Sequence, residues 1–211
     1  MTTASLTTEL LPAAEKDSRH LMVVLHGLGD SMDGFRWLPP ALKLPWLNYL
    51  LVNAPDDYYG GYSWYDYAAD AHPGVVRSRE LLFKLLDAQR AAGFPTEQTF
   101  LLGFSQGCLM SYEIGLRYPH QLAGLVGISG YVHEPEKMLR ERSPVADQQR
   151  HLITHGTYDP VVPFAASHEQ MNLLKAEGIQ IDWQEFRKEH TIAGEAELTV
   201  IREFVKRQAG R

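Results

Sequence analysis

Ser105 stands at the centre of Gly103-Phe104-Ser105-Gln106-Gly107, a Gly-x-Ser-x-Gly pattern. A serine hydroxyl becomes a useful nucleophile only when a base takes its proton and a carboxylate orients that base. The pattern acquires this meaning on a tight strand-to-helix turn, which lifts the serine out of the sheet and brings the backbone so close to its neighbours that glycine is needed on either side. An apolar run at 99–102 precedes the motif and a helical stretch at 106–118 follows it. That context favours a nucleophile over a serine that merely caps a helix. Cys108 is a rival only in name, because three residues on it falls one turn into the helix, where a small buried thiol is expected.

The partners of such a serine follow it in the order Asp, then His. Asp159 lies in His155-Gly156-Thr157-Tyr158-Asp159-Pro160-Val161-Val162-Pro163, after an apolar run at 151–154. His190 comes after the next run, 179–186, and before the last helical stretch. Of the nine histidines, His20, His72, His120, His133 and His168 fall before strands, within helices or in remote loops. His26 and His155 each open a loop, but the glycine that follows assigns them to shaping it. The negative oxygen of a tetrahedral intermediate needs two N–H donors. Gln106 supplies one, and Leu28 in His26-Gly27-Leu28-Gly29 is the natural second, with only their backbones taking part. No His-Glu-x-x-His or paired ligand spacing is present, so no metal and no organic cofactor is expected.

For these residues to meet, the chain must return them to one edge. Strands are expected at 21–25, 49–52, 99–102, 125–128, 151–154 and 179–186. Helical stretches run up to 42 and over 73–92, 106–118, 164–177 and 195–208. Alternating strands and helices, each strand a short apolar run, predict an α/β fold with a mostly parallel sheet covered on both faces. Ligands then bind beyond the carboxyl ends of the strands, where Leu28, Ser105, Asp159 and His190 all fall.

The 211 residues, 45% of them hydrophobic, suit one domain spanning 1–211, with an N-terminal segment at 1–18. These elements leave no room for a cap domain, so the site should be open. A net charge of −6 with cationic residues scattered argues against nucleic acid as a partner. No apolar run approaches the roughly 20 residues of a membrane span, so no integral membrane association is expected. The lone Cys108 and the absence of a basic, then apolar, leader point to the cytoplasm. Nothing locates a dimer interface, and a homodimer stays open.

The residues resemble the phospholipase/carboxylesterase branch of the α/β-hydrolases, which includes acyl-protein thioesterases and small bacterial carboxylesterases. The resemblance runs from about 21 to 204. It rests on Leu25-His26-Gly27-Leu28-Gly29-Asp30, Ser63-Trp64-Tyr65-Asp66, the Ser105 motif, and His155-Gly156 with Asp159-Pro160-Val161-Val162-Pro163. It implies Ser105, Asp159 and His190 as triad and the Leu28 and Gln106 amides as oxyanion hole, in agreement with the residue-level reading. Two departures stand out. Lys188 and Glu189 precede His190, where the family carries a small residue, and Tyr65 replaces the usual phenylalanine of Trp-Phe-Asp. Tyr58, Tyr59, Tyr62, Trp64, Tyr65 and Tyr67 cluster in 53–70, which reads either as a packed aromatic surface loop or as a mobile lid over the acyl pocket, hinged at Gly60 and Gly61. Trp64 and Val161 are the expected substrate-binding side chains. The expected activity is hydrolysis of short- to medium-chain carboxylic esters. The alternatives are a thioesterase acting on lipidated protein, a lysophospholipase and, from another class, a non-catalytic binding protein on a hydrolase scaffold, which would carry a broken triad.

Overall fold

The computed structural model describes residues 5–211; the first four residues of the expected N-terminal segment lie outside them. In chain order the elements are β1 (Thr8–Leu11), β2 (His20–Leu25), α1 (Leu38–Leu42), β3 (Leu47–Val52), β4 (Asp56–Tyr58), β5 (Gly61–Ser63), α2 (His72–Ala91), β6 (Thr99–Phe104), α3 (Gln106–Arg117), β7 (Gly124–Ile128), α4 (Pro135–Arg140), β8 (Arg150–Gly156), α5 (Phe164–Ala176), β9 (Gln180–Phe186) and α6 (Glu195–Ala209).

Side-chain alternation along the strands decides the layering. On β2, Met22 and Val24 face one side of the sheet, and Leu21, Val23 and Leu25 the other. Both sets are buried, so both faces must be covered. The first side packs on Leu38 and Leu42 of α1 and on Leu198, Ile201, Phe204 and Val205 of α6. The second packs on Val75, Leu82 and Leu86 of α2 and on Leu109, Met110 and Ile114 of α3. Further along, Ile153 of β8 meets Cys108 and Tyr112 of α3 and Met171 and Leu174 of α5. The helix α3 is buried from Gln106 through Leu116, which fixes the start of that helix, and hence Ser105, against the centre of the sheet.

The seven-stranded sheet runs β1-β3-β2-β6-β7-β8-β9. All pairs are parallel except β1 with β3, where Thr8 faces Val52 and Leu11 faces Tyr49. No separate cap layer covers the sheet among the described residues, and no helix there is long and apolar enough to cross a membrane.

Three elements depart from the sequence-based expectation. The strand β1 lies within the segment left without structure; its four residues alternate too briefly to show a period. The six-residue α4 is likewise below the length at which helical periodicity registers. The third lies within 53–70, where β4 and β5 form a hairpin turned at Tyr59 (φ 46°) and Gly60 (φ 91°), both left-handed as a two-residue hairpin turn requires. Gly61 has a steric role. A side chain there would overlap the Gly29 carbonyl, so glycine serves the close approach of two backbones.

Candidate active site

The strand β6 delivers Ser105 into the turn before α3 with φ 53° and ψ −114°, a conformation that non-glycine residues seldom adopt. It is held there by the Ser105 N–H donating to the Ile128 carbonyl at 2.9 Å. A Cβ on Gly103 would overlap the Gly107 carbonyl, and one on Gly107 would overlap the Leu25 carbonyl. The two glycines of the motif are therefore steric requirements of the turn.

The geometry brings Ser105, His190 and Asp159 into one chain of hydrogen bonds. The Ser105 Oγ lies 2.9 Å from His190 Nε2, and His190 Nδ1 lies 2.7 Å from Asp159 Oδ2. A carboxylate only accepts, so Nδ1 carries the imidazole proton and Nε2 is left to accept from the serine hydroxyl. The other Asp159 oxygen, Oδ1, accepts the Val161 and Val162 amides at 2.9 and 2.8 Å. Burial works to raise the Asp159 pKa, but the Val162 amide, the His190 side chain and the Val161 amide outweigh it and hold the carboxyl below its ordinary value.

The loop carrying His190 is fastened by charges that the sequence reading left without a role. Lys188 Nζ lies 2.6 Å from Glu197 Oε1, with both side chains buried. The other Glu197 oxygen accepts the Ala193 amide. One carboxylate on α6 thus grips the loop two residues before His190 and three residues after it. The Lys188 carbonyl accepts the Tyr158 amide, next to Asp159. Gly156 allows this loop to pass, since a Cβ there would overlap the Lys188 carbonyl. Lys188, one of the two residues ahead of His190 that depart from the family pattern, is therefore part of a clamp on this loop.

On the opposite side, Leu28 and Gln106 both line the cleft, and among the described residues neither amide donates to a protein acceptor. Gln106 opens α3, so its free N–H is one of the four that every helix leaves unpaired at its start. Gln106 also has a structural role beside its backbone N–H. Its buried side chain accepts the Trp64 amide at 3.0 Å and donates to the Tyr65 carbonyl at 3.1 Å, stapling the segment after β5 to the helix start. The Leu28 loop is held by the hairpin, with Gly29 N–H donating to Tyr62 O and Tyr62 N–H to Asp30 O, each at 2.9 Å. His26 is buried beneath that loop. Its Nδ1 donates to the Gly27 carbonyl at 2.6 Å and its Nε2 accepts the Ala54 amide at 3.1 Å, so the ring is neutral and loop-shaping. His155 does the same below Asp159, donating from Nε2 to the Val162 carbonyl. Burial lowers the pKa of both rings. Cys108 is fully buried, and burial pushes its thiol up to about 12.

A cleft of about 580 Å³ opens over Ser105 and His190. Val161 lines it and is 63% exposed. Trp64 does not: it is completely buried, with its indole N–H donating to the His26 carbonyl. Its neighbours Tyr65 and Tyr67 line the cleft instead, and Tyr65 shares a hydroxyl hydrogen bond of 2.9 Å with Tyr131. Ser167 and Gln170 of α5 complete the wall.

Comparison with known proteins places this geometry in context. A sequence profile of the phospholipase/carboxylesterase family matches residues 8–208. An acyl-protein thioesterase 1 of Schizosaccharomyces pombe is 34% identical over 166 residues, covering 72% of this chain and 74% of that protein. A probable carboxylesterase of Oryza sativa subsp. japonica is 28% identical over 200 residues, covering 87% and 75%. Among solved structures, esterase PE8 superposes with a TM-score of 0.87 at 28% identity, covering 97% of this chain and 99% of its own. The carboxylesterase of Bacillus cereus shares the fold at a TM-score of 0.83 and 16% identity, covering 98% and 96%.

Proposed function

The chain belongs to the phospholipase/carboxylesterase family of α/β-hydrolases and is an ester hydrolase, and from that premise we propose that it is a serine carboxylesterase for short- to medium-chain esters, with Ser105, His190 and Asp159 as its triad in one domain. The observation that carries this reading is the unbroken hydrogen-bond chain from Asp159 through His190 to Ser105, ending in the cleft.

In this mechanism His190 Nε2 takes the Ser105 proton as Oγ attacks the ester carbonyl. Asp159 holds the ring in the tautomer with Nδ1 protonated and stabilises the imidazolium that forms. The Leu28 and Gln106 amides receive the carbonyl oxygen as it becomes negative. His190 then gives its proton to the departing alcohol, and a water activated by the same ring releases the acid from Ser105. The acyl chain lies against Tyr65, Tyr131 and Val161. A cleft of about 580 Å³ falls within the range of small-molecule sites, roughly 300–1,000 Å³, which supports a small ester.

The second reading, release of acyl chains from protein thioesters, is favoured by the name of the S. pombe relative. Both readings use the same serine chemistry and differ in substrate. Initial rates on p-nitrophenyl esters from acetate to palmitate, beside an S-palmitoyl peptide, separate them. An optimum at short to medium chains is expected; a long-chain optimum with faster cleavage of the thioester would put the second reading first.

A further inference from the structure

Away from the cleft, the first residue of α2 meets the segment that leads into α4. The His72 Nδ1 lies 2.8 Å from Glu134 Oε2, and His133 Nε2 lies 3.5 Å from the same oxygen. One donor atom from each of the three residues lies within 4.8 Å of the others. Neither of these two imidazole nitrogens is reached by solvent, and neither meets the Glu134 carboxylate at an angle that makes a hydrogen bond. Two shielded nitrogens turned on one carboxylate oxygen without hydrogen bonding to it are a donor set that a metal ion can use. Glu134 is held in position by a left-handed backbone, φ 49°, which a glutamate adopts only under constraint.

The geometry points to a binding site for a divalent transition ion of the zinc class, ligated by His72, His133 and Glu134. An ion bound tetrahedrally at about 2.0–2.1 Å holds its donors about 3.4 Å apart, and the two measured separations, 2.8 and 3.5 Å, bracket that value. Three protein ligands of the two-histidine, one-carboxylate type leave the fourth position to water. Lys137 is the competitor. Its ammonium lies 3.1 Å from His72 Nε2 and 3.4 Å from Glu134 Oε2. While it donates to Nε2, the His72 proton resides on Nδ1. Loading the ion moves that proton to Nε2 and turns the partly exposed lysine out to solvent. The ion would tie α2 to the segment that also carries Tyr131, which lines the cleft and bonds to Tyr65.

Zn²⁺ titrated into the full chain by calorimetry tests the site, with Co²⁺ absorption reporting coordination. One ion per chain is expected, saturating by about 100 µM, with the visible bands of four-coordinate Co²⁺. His72→Gln/His133→Gln should weaken Zn²⁺ binding at least about tenfold, and Glu134→Gln should weaken it too. Lys137→Ala should bind Zn²⁺ more tightly, and His190→Ala should bind it as the wild type does. Stoichiometric binding that survives the double variant, binding lost in His190→Ala, or no binding to the folded wild type would each overturn the assignment.

Discussion

The two sides of the cleft are held by different physics. The oxyanion side, the Leu28 loop with its hairpin and the start of α3, is fastened by backbone-to-backbone hydrogen bonds, a neutral histidine, a neutral glutamine and glycines that let chains touch. The acid–base side, the Asp159 and His190 loops, is fastened by charged groups: the Asp159 carboxylate accepting from His190, and Lys188 paired with Glu197. The contrast follows from what each side must aim. An N–H is placed by fixing a main chain. An imidazole is placed by fixing a side chain at both nitrogens, which needs a carboxylate and a firmly anchored loop. Removing a neutral hydrogen bond and removing one ion of a buried pair have different consequences, and substitutions on the two sides should differ accordingly.

The largest effect is expected on the acid–base side. Asp159→Asn leaves the fold intact but favours the wrong His190 tautomer, and kcat should fall on the order of 10⁴-fold with KM little changed, measured on a p-nitrophenyl ester. A loss under tenfold would remove Asp159 from the account. Next comes Lys188→Met, which leaves Glu197 buried without a counter-ion and should lower the unfolding free energy by about 3–5 kcal/mol. Lys188→Met/Glu197→Leu should recover most of that stability. Urea midpoints for the two proteins check this, and equal midpoints would show that the pair is not a unit.

On the oxyanion side the losses should be smaller. Gln106→Leu keeps the backbone N–H but strips the Trp64 amide and Tyr65 carbonyl of their partner, for an expected loss of about 1–3 kcal/mol in stability. If Gln106→Leu proved as damaging as Lys188→Met, the contrast between the two sides would fail. The smallest effect concerns pH. Burial sets the His26 pKa below its ordinary 6.5, so below that pH the unfolded chain takes up a proton that the native ring refuses, and stability falls as pH falls. Asp159 is set below its ordinary 3.8; its contribution is complete above that pH and is lost as pH falls through the native value. Acid should therefore act through the buried histidines before it reaches Asp159. His26→Gln, which keeps an acceptor for the Ala54 amide, should flatten the decline below pH 6.5, while Asp159→Asn should leave that limb unchanged. Melting temperatures across pH 4–8 provide the comparison. His151 and His155, also buried with lowered values, keep part of the slope in both variants.

The same contrast explains what could be read in the sequence. The central strands announced themselves as apolar runs because both faces of the sheet are buried there, while the edge strand β9 alternates polar and apolar residues and is only half-buried; five helical stretches showed by their period. Ser105, Asp159 and His190 stood out because each follows a strand, and the structure brings the three side chains within hydrogen-bond reach. The short elements β1, β4, β5 and α4 did not, since three to six residues carry too little period. The Lys188–Glu197 clamp was illegible for another reason: a charged pair nine residues apart declares itself only when β9 and α6 bring both ends into the interior. Trp64 was misplaced because aromatic residues in a row signal a buried surface without saying which of them turns toward the cleft.

The most direct measurement of the central claim is turnover of p-nitrophenyl butyrate by the wild type and by Ser105→Ala, with stoichiometric labelling by a serine-directed fluorophosphonate followed on both. Ser105→Ala, folded as judged by circular dichroism, is expected to lose roughly 10⁴-fold or more of kcat and to take no label, while the wild type takes one equivalent on Ser105. Equal turnover in the two proteins, or one equivalent of label on Ser105→Ala, would contradict that claim.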